Sequence, residues 1–102
     1  MSGDPEPSGG TGGSTNRIEA MIQNQRGLHA RAAAKFVKLA CTFEAEIEVT
    51  RGGQTVSGRS IMGLMMLAAG PGNKIAIEAR GSDATAALAA LKKLIDDHFD
   101  ET

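Results

Sequence analysis

The stretch Gly27-Leu28-His29-Ala30-Arg31 stands where a strand pattern ends and a helix pattern begins, and the other elements are arranged around it. A helical run from Ala32 to Thr42 follows, which puts His29 at or just before a helix N-terminus. Free backbone N–H groups point outward there, and the positive end of the helix dipole favours a bound anion. The same field disfavours a protonated imidazole, so we expect His29 to be neutral and nucleophilic near neutral pH.

Arg31 follows His29 by two residues and adds a permanent cation. Its guanidinium group carries a fork of donors that suits phosphate oxygens. A neutral imidazole, helix N–H donors and an arginine together predict a site that carries a phosphoryl group on nitrogen. The alternative from these residues alone is an ordinary surface histidine beside a surface arginine.

The hydrophobic periods on both sides of this stretch alternate between those of strands and helices. Strands are predicted at 17–23, 45–50, 55–58 and 74–80, with a tight hairpin turn at Gly52-Gly53. Helices are predicted at 32–42 and 61–67, and a long one capped by Ser82 is predicted to run to about Phe99. The order βαββαβα predicts an α+β fold, a four-stranded, mainly antiparallel sheet with three helices on one face.

The first residues have a different composition from the rest. Residues 1–16 are rich in Gly, Pro and Ser and hold little that could be buried, so we expect a disordered tail. Residues 17–102 are predicted to form the single folded domain.

Composition excludes several classes of function. The net charge of −1 and the 3% aromatic content argue against a nucleic-acid binder, which needs basic charge and stacking platforms. The single cysteine, Cys41, cannot form an internal disulfide and suits a reducing compartment. With no signal peptide and no membrane-spanning run, a cytoplasmic location is expected. No Cys/His cluster has metal-ligand spacing, so no metal site is predicted.

A second informative stretch is Ser60-Ile61-Met62-Gly63-Leu64-Met65-Met66. Ser60 is predicted to cap a short helix through its hydroxyl, and a phosphate added there would change the surface charge. Methionine at helical spacing is usually core, but a helix this short cannot bury all of these apolar side chains. We therefore expect some of them to form an exposed docking patch.

The chain's end offers weaker candidates. His98 is expected to be a solvated residue near the end of the last helix. The acid pairs Asp96/Asp97 and Asp100/Glu101 are expected to be a solvated end as well.

Taken together, the two stretches resemble the HPr family, the histidine-containing phosphocarriers of the bacterial phosphotransferase system. The resemblance rests on residues 27–31 and 33–37 followed by 60–65, and it extends from about Arg17 to about Phe99. It implies an open-faced β-sandwich in which His29 accepts a phosphoryl group on Nδ1 from Enzyme I and passes it to an Enzyme IIA protein. It also implies that Arg31 assists at the phosphate.

The resemblance carries two further implications. Ser60 matches the serine that HPr kinase/phosphorylase modifies in some members of the family. The faces of the first two helices would form the surface shared by the partners, which includes Ala34, Lys38, Ile61, Met62 and Met65. One departure is Ala32, which stands where the family usually has Pro and is more typical of the nitrogen-related branch than of the sugar-transport branch.

The resulting prediction is a monomeric protein-to-protein phosphoryl carrier without a cofactor, a nucleic-acid partner or a membrane anchor, and not an enzyme. One alternative is a mutase or phosphatase with His29 as nucleophile, which would need a substrate pocket and a general acid nearby. Another is a regulatory interaction module that acts through Ser60 without any relay. The presence of both His29 and Arg31 speaks against that module.

Overall fold

The structure is a computed structural model that describes residues 14–101. Within these residues, four strands, three helices and a short 3₁₀ turn follow one another in the predicted order βαββαβα. The elements are β1 Ser14–Met21, α1 Ala30–Ala40, β2 Glu46–Arg51, β3 Gln54–Ser57, α2 Ile61–Met66, β4 Lys74–Gly81, α3 Ala84–Asp96 and the C-terminal turn His98–Asp100.

The strands form one sheet in the order β1-β4-β2-β3, and all three pairings are antiparallel. β4, the last strand along the chain, pairs with β1 from Ser14↔Gly81 to Met21↔Lys74 and with β2 on its other side. Arg51 pairs with Gln54 across the predicted two-residue turn. The last strand therefore joins the first strand to the β2–β3 hairpin.

The two faces of the sheet differ as the period-2 pattern predicts. Ile47 and Val49 of β2 are buried, whereas Glu46 and Glu48 lie on the other face, which is open. α3 packs against β1 and β4, and α1 packs against α2 and α3. The expected α+β fold, with helices over one face of an antiparallel sheet, is confirmed.

Between the sheet and the helices lies one core of aliphatic side chains and two phenylalanines, Phe36 and Phe99, both fully buried. On α1 the face at Ala33, Phe36 and Ala40 is fully buried, as the spacing predicts, while Val37 is half-buried. Burial of a phenylalanine or leucine side chain stabilises a fold by about 1.5–3 kcal/mol. These contacts fix α1, and therefore His29, against the sheet.

The ends of several elements differ from the predictions. β1 begins at Ser14, inside the expected tail, because Ser14 to Asn16 continue the ladder with β4. The rest of that tail, residues 1–13, lies outside the described residues. α1 begins at Ala30 and ends at Ala40, two residues earlier at each end than predicted.

The last helix is shorter than predicted. It ends at Asp96, and its N-cap is Asp83 rather than Ser82. The Asp83 carboxylate does not bond to its own helix but accepts a hydrogen bond of 2.8 Å from the backbone N–H of Glu44. His98, Phe99 and Asp100 have φ of 54–60°, a left-handed conformation that ends the helix and turns Phe99 into the core.

The loop before α1 depends on Gly27. Its φ is +65°, and a Cβ there would overlap the carbonyl oxygen of Ala69. The close approach allows the next N–H, of Leu28, to donate to that carbonyl at 2.9 Å. Leu28 is then buried, and His29 is delivered to the helix start.

We predict that Gly27→Ala lowers the free energy of unfolding by more than Gly52→Ala does. Gly52 has nearly the same φ, +61°, but a Cβ there meets nothing within 4 Å. Gly52→Ala should therefore lower the free energy of unfolding only by the strain of a left-handed alanine, about 1–2 kcal/mol. Gly27→Ala adds the overlap with Ala69 to that strain. Urea unfolding of the three proteins measures both losses. Equal losses would contradict this account of the loop.

Candidate functional site

His29 is the N-cap residue of α1, as predicted. Its backbone is extended, with φ −76° and ψ 179°, and its carbonyl accepts the first helical hydrogen bond from the N–H of Ala33 at 2.8 Å. The side chain makes no cap bond, so the imidazole does not occupy the N–H groups of the first turn. Those donors and the positive end of the helix dipole are therefore left for an anion beside the ring.

The ring has a partner that the sequence did not reveal. His29 Nε2 is hydrogen-bonded to Oε2 of Glu101, which lies 72 residues further along the chain. Only 15% of the His29 side chain and 20% of the Glu101 side chain are exposed, so the pair is partly shielded from water. The expectation that Asp100/Glu101 form a solvated end is wrong for Glu101. It holds for the exposed Asp100.

Glu101 is in turn held by Asn24. The buried Asn24 amide, 2% exposed, donates from Nδ2 to Glu101 Oε1 at 3.0 Å and to the carbonyl of Gly27 at 2.8 Å. The hydrogen bonds from Asn24 and His29 lower the pKa of the Glu101 carboxyl below its ordinary value, and the charge of Arg26 acts in the same direction. Glu101 is therefore a carboxylate at neutral pH.

The C-terminal turn brings Glu101 to this position. Phe99 is fully buried, and its carbonyl accepts a hydrogen bond of 2.7 Å from Lys35 Nζ of α1. His98, expected on a helix and solvated, lies in this turn instead, half-buried, with Nε2 3.2 Å from the side-chain oxygen of Gln23. The turn thus ties the chain's end to both α1 and the loop before it.

Arg31 is exposed, on the first turn of α1. It lines a pocket of about 720 Å³ between this helix, the loop after β1 and the C-terminal turn. Two more cations, Arg26 and Lys35, line the same pocket, as does Glu101. The structure therefore places Arg31 in the same pocket as the histidine's carboxylate partner, within a group of positive charges that suits a dianionic phosphoryl group.

Ser60 lies at the start of α2, the helix that packs against α1. It is the N-cap of that helix, and its Oγ accepts a hydrogen bond of 2.9 Å from the N–H of Gly63. The predicted capping role is confirmed.

The short helix α2 divides its apolar residues as expected. Leu64 and Leu67 are buried, whereas 70% of Met62 and 39% of Met65 are exposed. Ile61 is exposed as well, and on the neighbouring α1 Lys38 is exposed and Ala34 half-buried. We call Ala34, Lys38, Ile61, Met62 and Met65 the α1–α2 surface.

Two classes of site have no counterpart in the part of the chain that the structure describes. Within residues 14–101 no group of three or more His, Cys, Asp or Glu side chains could hold a metal ion. No helix in that range is long and apolar enough to cross a membrane.

Asn24 and Glu101 are the residues that sequence reasoning missed. Neither belongs to a motif, and each contacts the site through a long-range hydrogen bond. One signal was available: Phe99 is an isolated aromatic residue among charged ones, which favours an anchor that folds back onto the core over a solvated end.

Comparison with known proteins agrees with this fold. The model of the family described as "PTS HPr component phosphorylation site" matches residues 17–97. A phosphocarrier protein HPr of Neisseria meningitidis is 49% identical over 80 residues, covering 78% of this chain and 90% of that protein. A phosphocarrier protein NPr of Shewanella violacea is 46% identical over 83 residues, covering 81% and 91%.

Among solved structures, HPr-C-His from Thermoanaerobacter tengcongensis superposes with a TM-score of 0.82 at 39% identity, covering 85% of this chain and 98% of that one. The fold and these similarities thus define a phosphocarrier of the bacterial phosphotransferase system. The chain belongs to the HPr family.

Proposed function

We propose that this protein accepts a phosphoryl group from phospho-Enzyme I on His29 and passes it to an Enzyme IIA protein. The observation that carries the proposal is the position of His29 at the N-cap of α1, with its side chain outside the helix hydrogen bonds. A phosphoryl group on the ring can then accept from the N–H groups of the first turn. Relatives named HPr and NPr are similar to nearly the same extent, so the proposal covers both the sugar-transport and the nitrogen-related branch.

Arg31 supplies the second half of the anion site. It lies on the first turn of α1 and is exposed, so its guanidinium group can approach phosphate oxygens without losing an existing ion pair among the described residues. Because these contacts lie at the surface, an acceptor can replace them, which is what a carrier needs for reversible transfer. A cytoplasmic location and a monomeric state remain predictions.

Incubation with phosphoenolpyruvate and Enzyme I should add one phosphoryl group that is labile to acid and stable to base, as a phosphoramidate on imidazole is. His29→Ala should abolish the label because the nucleophile is gone. Arg31→Ala should slow labelling and leave the melting temperature almost unchanged, because Arg31 is exposed. Intact mass before and after acid treatment measures the label.

His98→Asn is the matched control, since His98 is the other histidine and asparagine tolerates its left-handed backbone. It should label like the parent protein. Label that persists in His29→Ala, or that maps to His98, would refute the proposed relay.

We propose further that Enzyme I docks on the α1–α2 surface. The exposed part of Met62 and Met65 is apolar, flexible and next to α1, the helix whose N-cap is His29. Methionine adapts to different partners, which suits a carrier that must bind both a donor and an acceptor.

Met62→Glu and Met65→Glu should each weaken Enzyme I binding, because docking would bury an unpaired carboxylate. The melting temperature should change little for Met62→Glu, since that side chain is mostly exposed. Met21→Glu is the control: Met21 is 41% exposed, close to Met65 in exposure, but it lies on the open face of the sheet. Titration of each variant with Enzyme I measures the change in affinity. Equal weakening of binding by Met21→Glu would contradict the docking of Enzyme I on the α1–α2 surface.

Regulation through Ser60 is the remaining part of the proposal. Its hydroxyl lies at the start of α2, next to Ile61 and Met62, so an added phosphate would bring negative charge to the docking surface. The partner implied for this step is HPr kinase/phosphorylase. An interaction module that acts through Ser60 alone is the alternative, and it would leave His29 unlabelled.

Ser60→Asp and Ser60→Asn form a matched pair, because both residues cap a helix about as well as serine and only aspartate adds charge. Ser60→Asp should slow the labelling of His29 by Enzyme I, and Ser60→Asn should not. Both should melt close to the parent protein. If the two variants are labelled at the same rate, charge at Ser60 has no regulatory effect and the residue serves only as a cap.

A further inference from the structure

Asn24, Glu101 and His29 form a continuous chain of hydrogen bonds that ends on the imidazole ring. Nδ2 of Asn24 donates to one carboxylate oxygen of Glu101, and the other oxygen lies against Nε2 of His29. Asn24 has no freedom to turn its amide, because its Nδ2 also donates to the Gly27 carbonyl. Its buried Oδ1 has no partner within residues 14–101, so the amide is oriented by its two acceptors alone.

This chain decides which ring nitrogen carries the proton. A carboxylate can only accept hydrogen bonds, and the lowered pKa of Glu101 keeps it in that form at neutral pH. Nε2 of His29 must therefore be the donor, with its proton pointing at Glu101. In the neutral imidazole the lone pair is then left on Nδ1.

We propose that Glu101 is a positioning residue for phosphoryl transfer, which holds His29 in the tautomer and orientation that leave Nδ1 free to attack. The inference rests on the proposed phosphocarrier function and adds a residue to it. Asn24 orients the carboxylate, and the buried Phe99 anchors the segment that carries it.

The transfer step follows from this arrangement. The Nδ1 lone pair forms a bond to phosphorus as the bond between phosphorus and the donor breaks, and the donor takes back that electron pair. The Nε2 proton stays in the hydrogen bond to Glu101, so no proton leaves His29. The ring becomes positively charged as the new bond forms, and the carboxylate opposite Nδ1 stabilises that charge. Return of the phosphoryl group to an acceptor reverses each of these changes.

The backbone that holds Glu101 against His29 is strained. Three consecutive residues other than glycine, His98, Phe99 and Asp100, have left-handed φ values. Such residues are unfavourable and persist only where other contacts over-determine them. Burial of Phe99 and the Lys35 hydrogen bond to its carbonyl are the contacts that offset this strain. A solvated chain end would need none of them.

Glu101→Gln gives the sharpest test because it keeps the shape and changes one atom. Asn24 still needs an acceptor, so the Gln carbonyl oxygen should face Asn24 and the Gln NH₂ should face His29. An NH₂ donor requires an acceptor at Nε2, which moves the ring proton to Nδ1 and removes the attacking lone pair. Glu101→Ala should instead release the ring to a mixture of both tautomers.

The tautomer can be read directly from the ¹⁵N shifts of the two ring nitrogens at about pH 8.5, where an ordinary imidazole is neutral. The parent protein should show His29 protonated at Nε2, Glu101→Gln at Nδ1, and Glu101→Ala a mixture. Asp100→Asn is the control: it removes the same charge one residue away, at a side chain that is exposed. It should leave the ring as in the parent protein.

Labelling by Enzyme I gives the second readout. If about one tenth of the Glu101→Gln molecules keep the proton on Nε2, labelling of that variant should slow about tenfold, since only that fraction can react. Half-saturation by Enzyme I should not change, because Glu101 lies outside the α1–α2 surface. Asp100→Asn should be labelled at the parent rate.

The outcomes separate this inference from the proposed relay. A parent protein that Enzyme I never labels refutes the relay, while the ring shifts still test Glu101. Unchanged ring shifts in Glu101→Gln and Glu101→Ala, or equal changes in Asp100→Asn, overturn the positioning role even if the relay holds. The same mixture of ring tautomers in Glu101→Gln and Glu101→Ala would support the positioning role of Glu101. It would overturn the role of Asn24 in orienting the side chain at position 101.

Discussion

The start of α1 directly after His29 is the constraint on which the site depends. A helix can begin only where the preceding residue leaves helical geometry, and His29 does so with an extended backbone. The N–H groups of the first turn have no partner within the helix, and the His29 side chain does not occupy them. Burial of Ala33, Phe36 and Ala40 holds the helix, and the left-handed Gly27 against Ala69 fixes its entry. Loss of either would move the ring relative to the donors.

The elements of this fold could be predicted from the sequence because their signals are local. Strand alternation in residues 46–51 and the apolar spacing on α1 each arise within a few residues, and both are observed. The ends of elements depend on more distant partners. β1 extends to Ser14 because β4 offers a ladder there, and α3 stops at Asp96 because Phe99 is drawn into the core.

The residues of the candidate site likewise differ in whether the sequence could predict them. His29 and Arg31 lie two residues apart on one helix start, so their relation was visible in the sequence. Glu101 reaches His29 across 72 residues and Asn24 across 77, and no periodicity or spacing encodes such pairs. A short polar or acidic segment also resembles a solvated end in composition. Only the burial of Phe99 distinguishes the two cases.

Glu101 adds a negative charge to a site whose other groups are positive. Helix N–H groups and Arg31 alone would make a purely positive site. The carboxylate lies on the opposite side of the ring, against Nε2, where it opposes no phosphate oxygen bound at Nδ1. In the proposed transfer, Glu101 would stabilise the positive charge that the ring carries while the phosphoryl group is attached. The proposed site therefore offers attraction on both sides of one imidazole, with the helix donors and the exposed Arg31 for the phosphoryl group and Glu101 for the ring.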